Sequence, residues 1–72
     1  MNADQLVQMA NRIAAFFAAM PDHGEAVDGV ATHLRKFWEP RMREQLRALI
    51  DAGQPDLHPL VHEAFGLLAA RA

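Results

Sequence analysis

At 72 residues and without a cysteine, the chain has room for one domain at most and lacks any disulfide or thiolate metal site to staple it, so stability must come from helix packing or from a partner. The net charge of −2 hides a gradient, with residues 1–32 summing to −3, residues 33–47 to +3 and the remainder to −2. Such a basic segment is too weak for a nucleic-acid footprint but sufficient to orient a partner.

The opening Met1-Asn2-Ala3-Asp4 is polar and acidic, with neither the basic start nor the apolar core of a signal peptide, and no long apolar run follows. The expected compartment is therefore the cytoplasm, with no membrane partner. From Leu6 the apolar residues Leu6, Met9, Ala10, Ile13, Phe16, Phe17 and Met20 advance in steps of three and four, which predicts a helix over about residues 3–19. Asn2 and Gln5 form a capping-box pattern, and Pro21 closes the segment. Of the adjacent Phe16 and Phe17, one is expected in the core and the other at a helix boundary.

Asp22 and Glu25 repeat the capping pattern, and both charges suit the positive end of a helix dipole. The helix expected over about residues 22–38 turns Val27, Val30, Ala31, Leu34 and either Phe37 or Trp38 inward. Gly29 costs about 1 kcal/mol of propensity in that interior, which a close helix crossing explains. The chain then reaches its most distinctive stretch, His33-Leu34-Arg35-Lys36-Phe37-Trp38-Glu39-Pro40-Arg41-Met42-Arg43. Phe37 and Trp38 point about 100° apart on a helix, so one packs inside while its neighbour reaches a boundary. The surrounding charge makes Arg35, Lys36, Phe37, Trp38, Pro40, Arg41, Met42 and Arg43 the candidate partner surface.

Pro40 suits the first position of a third helix, expected over about residues 40–51 with Met42, Leu46, Leu49 and Ile50 inward. Arg43 and Arg47 lie four apart with like charge, which fits either plain exposure or an acidic surface facing them. Gly53 and Pro55 form a strong stop. The fourth helix, over about residues 59–69, begins at Pro59 and is apolar at Leu60, Val61, Ala64, Phe65, Leu67 and Leu68. That is broader than one stripe, so the helix either inserts between others or shows an apolar face to another chain. The closing Ala69-Ala70-Arg71-Ala72 is expected to fray. The fold class is all-α, a small bundle of four short helices in one domain.

The chemistry is sparse. His58 and His62 share the four-residue spacing of paired metal ligands, but no Cys and no His-Glu-x-x-His pattern completes a site, and Asp56 or Glu63 would serve only with unusual geometry. No metal is expected. Thr32 is the lone side-chain hydroxyl, nothing in the spacing activates it, and the isolated glycines make no phosphate loop. The chain by itself is not expected to be an enzyme.

The central run, together with Asn11-x-Ile13-x-x-Phe16-Phe17 before it and Pro59-Leu60-Val61 after it, resembles the delta subunit of the soluble, molybdenum-dependent NAD formate dehydrogenase. The likeness covers about residues 5–68, and the central run is its distinctive part. It implies a small accessory subunit of a cytoplasmic complex that oxidises formate to carbon dioxide and passes electrons to NAD. In that family the bis-molybdopterin guanine dinucleotide centre, the iron-sulfur clusters and FMN belong to the larger subunits, which are the implied partners. The delta subunit supports assembly, cofactor insertion or stability, and no catalytic residue carries over to this chain. The alternative is a free-standing helical regulator that binds nucleic acid through Arg41, Arg43 and Arg47.

Overall fold

The side chain of Asn2 accepts a hydrogen bond from the Gln5 amide at 2.8 Å, which occupies one of the orphan donors at the start of α1 (Ala3–Ala18). The computed structural model in which this cap is seen describes residues 2–70, without the side chain of Ala70. Asp22 caps α2 (His23–Phe37) in the same way, accepting from the Glu25 amide at 2.9 Å. Both caps agree with the spacing of the sequence. α3 spans Pro40–Asp51 and α4 spans Pro59–Ala70, and no strand occurs among the described residues. The protein is all-α, a bundle of four helices; of the expected fray over residues 69–72, Ala69 and Ala70 are instead the last residues of α4, and residues 71–72 lie outside the described residues.

α3 ends as its glycine requires. Gly53 has φ +83°, its amide donates to the Ile50 carbonyl and the Gln54 amide donates to Leu49, both at 3.0 Å. This is a Schellman closure, in which the left-handed position belongs to a residue without a Cβ.

The core is built mostly of small and branched residues. Leu6, Val30, Leu34, Leu46 and Val61 are fully buried, and Ala10, Ala14, Ala26, Ala31 and Ala64 fill the spaces between them. On α1 the buried line runs Leu6–Ala10–Ala14 with Val7, so Ala10 and Ala14 form the contact face itself. Small residues there let neighbouring helices approach closely, and the larger Phe16 is left outside at 74% exposure. Gly29 marks a close crossing: a Cβ on it would sit 2.5 Å from Phe17 Cδ1, well inside contact distance. α2 packs against α4 and α1, and α3 leans chiefly on α1. α3 touches α2 and α4 only sparsely, so the side of the bundle between α3 and α4 stays open.

Asn11 ties the connection before α4 back to α1. Its Nδ2 donates to the Asp56 carbonyl at 2.8 Å, and its Oδ1 accepts from the His58 amide at 2.9 Å. Leu57, between these two, is buried.

Candidate contact surface

The central run of the sequence forms the corner between α2 and α3. Pro40 forbids the helical region to the residue before it, so Glu39 is extended (φ −66°, ψ 149°), and the helix ends with Trp38 as its C-cap. The two aromatic rings part at this corner. Trp38 is 6% exposed and belongs to the core, whereas Phe37 is 72% exposed and lies 4.9 Å from the His33 ring, centroid to centroid. The outward member of the pair is Phe37.

Arg43, one turn into α3, reaches back across the corner. Its Nη1 donates to the Arg35 carbonyl at 2.8 Å and lies 3.2 Å from the carbonyls of Leu34 and Trp38. A helix leaves its last carbonyls without intrahelical donors, and a guanidinium placed there supplies both hydrogen bonds and the charge that the negative end of the dipole favours. Arg43 is half-buried and acts as a brace of the α2–α3 joint. Neither plain exposure nor an acidic surface accounts for it. That use also takes it out of the set of three arginines from which a nucleic-acid surface would be built.

Two open grooves flank the corner. The first, of about 390 Å³, runs between α3 and α4 and is bordered by Arg35, Pro40, Arg43, Arg47, Phe65 and Leu68. The second, of about 610 Å³, lies where the end of α1 crosses α2, with Phe17, Met20, Gly29, His33, Lys36 and Phe37 among its walls. The candidate residues of the sequence therefore divide. Arg35, Pro40 and Arg43 border the first groove, Lys36 and Phe37 the second, Arg41 is exposed, and Met42 packs half-buried against the core that encloses Trp38. Sequence reasoning did not place Phe65, Leu68 or Met20 on this surface. The broad apolar coverage of α4 was the signal for the first two: Leu60, Val61 and Ala64 satisfy the core, and Phe65 and Leu68 remain partly open. One side of that helix therefore packs into the core, and Phe65 and Leu68 lie on the side left partly open.

His58 and His23 have structural work. Nδ1 of His58 accepts from the Leu60 amide at 3.1 Å and so caps α4. His23 Nε2 meets both carboxylate oxygens of Glu63 at 2.9 Å, which joins the start of α2 to α4 at the surface. His62 is exposed. Among the described residues no group of three or more His, Cys, Asp or Glu is placed to hold a metal ion, and no helix is long and apolar enough to cross a membrane.

The fold and surface together define a small four-helix chain in which Asn2, Asp22, His58 and Arg43 cap or brace the helices, and whose grooves open outward around an aromatic-basic corner. A family model described as NADH-dependant formate dehydrogenase delta subunit FdsD matches residues 5–65, and the chain belongs to that family. No curated protein and no solved structure matches it.

Proposed function

We propose that the chain is a non-catalytic accessory subunit of a cytoplasmic NAD-dependent formate dehydrogenase, supporting assembly, cofactor insertion or stability of the complex through protein-protein contact. The observation that carries this reading is the family match over residues 5–65, which takes in the whole of the α2–α3 corner. The surface supports it. Phe16, Met20 and Phe37 are the exposed large hydrophobic residues among those described, and Met20 and Phe37 line one groove whose wall Phe17 packs edge-on to Phe16, centroids 5.1 Å apart. Exposed aromatic residues and methionine are enriched among interface anchors. On this reading the contact is made by Arg35, Lys36, Phe37, Pro40 and Arg41 directly, and Trp38, Met42 and Arg43 hold the corner that presents them. The molybdenum centre, iron-sulfur clusters and FMN reside in the larger subunits, and formate oxidation with NAD takes place there.

The test is co-expression of the tagged chain with the larger formate dehydrogenase subunits. Recovery of those subunits on the tag is the expected result, with a lower molybdenum content and lower formate-NAD activity when the chain is omitted. Full molybdenum loading and activity without the chain, and no subunit recovered with it, would remove the proposal.

A further inference from the structure

The groove between α3 and α4 carries a charge imbalance that the fold does not use. Three guanidinium groups, on Arg35, Arg43 and Arg47, border it against the single carboxylate of Glu44, a surplus of two positive charges. Arg43 is committed through Nη1 to the carbonyls of α2. Arg35 and Arg47 are exposed, and neither enters an ion pair among the described residues. Between these cations lie Pro40, Phe65 and Leu68, the last two half-buried, in a volume of about 390 Å³ that accommodates one or two large apolar side chains. Apolar walls beneath unpaired arginines match one kind of occupant well: an apolar anchor with carboxylates beside it. Guanidinium groups bind carboxylates with two parallel hydrogen bonds, and partial desolvation by the apolar walls strengthens such bonds.

We propose that this groove receives an acidic-apolar segment of a partner subunit, Phe65 and Leu68 burying its apolar side chains and Arg35 and Arg47 holding its carboxylates. The inference rests on the accessory-subunit reading and names the chemistry of the segment that docks. Nucleic acid would use the same charges but would leave the apolar walls without a role.

The probe is a synthetic helical peptide with Leu and Phe one turn apart and flanking glutamates, set against a counterpart with lysines in place of the glutamates. Both are titrated into the full-length chain by fluorescence anisotropy. The glutamate peptide is expected to bind at least tenfold more tightly than the lysine peptide, to weaken as salt rises, and to lose that preference in the Arg35→Glu plus Arg47→Glu variant. Amide shifts of the labelled chain should cluster at Arg35, Arg47 and Leu68. Arg43 is left unchanged because it braces the fold, and the Arg35→Ala plus Arg47→Ala pair replaces the charge reversal if the latter melts early. Equal binding of the two peptides, indifference to the double substitution, or tighter binding of a short duplex at the same site overturns the inference. Capture of the larger subunits by an Arg35→Glu plus Arg47→Glu chain with unchanged affinity also overturns it while the accessory role stands. Peptide binding without any subunit capture strikes the accessory role instead.

Discussion

Trp38 and Phe37 are neighbours in sequence with opposite placements, one buried and one in solvent, and their substitution tests folding apart from the proposed contact. Trp38→Ala removes a buried ring from a small core, at a cost of about 3–5 kcal/mol, and a domain of this size has little more than that in hand. Circular dichroism of the isolated variant should show most of its helical signal lost at 25 °C. Phe37→Ala should leave the melting curve nearly in place, because the ring is largely in solvent already, and should weaken recovery of the larger subunits. A Trp38→Ala chain that melts like the parent would show that the ring is not core. Asn11 is the second residue with leverage beyond its size: Asn11→Ala deletes two hydrogen bonds to the segment before α4 and leaves the part-buried His58 amide unpaired. A loss of about 1–3 kcal/mol is expected, read as a drop in denaturation midpoint at constant slope.

At the scale of the helices, the close crossing of α1 and α2 decides what Gly29 is for. Alanine at this position gains about 1 kcal/mol of helix propensity, yet its Cβ would strike Phe17. Gly29→Ala should therefore destabilise the chain, and it should stabilise it in a Phe17→Ala background, where the ring is gone. A double-mutant cycle with no coupling would remove the crossing as the explanation. The caps at Asn2 and Asp22, the proline start of α3 and the glycine stop after it were legible in the sequence because each is a local rule: a side chain and the backbone amide three residues on, or a φ that only glycine takes easily. Gly29 was legible as a crossing because a glycine inside a helix costs propensity and calls for a close neighbour to explain it. The choice between Phe37 and Trp38, the burial of Ala14 in preference to Phe16, and the reach of Arg43 onto α2 were not legible, because each depends on where a second helix lies. An arginine that will cap another helix has the same spacing in sequence as one that faces water.

For the molecule as a whole, the radius of gyration of 11.1 Å equals the roughly 11 Å expected for a compact chain of this length. Stability is nevertheless uneven. α3 rests mainly on α1 and only lightly on α2 and α4, so its amides should exchange with solvent before those of α2 and α4 in native-state hydrogen exchange; uniform protection across the four helices would refute this. A partner that binds only the folded chain should raise the melting temperature in step with its concentration. The Arg43 brace has a kinetic consequence as well. It holds the wall that carries Arg35 against the wall that carries Arg47 before anything arrives, so a visiting segment meets a ready site. Encounter should then be governed by diffusion and long-range attraction: in stopped-flow mixing the observed rate should rise linearly with partner concentration and fall with ionic strength, without a plateau that would betray a slow rearrangement.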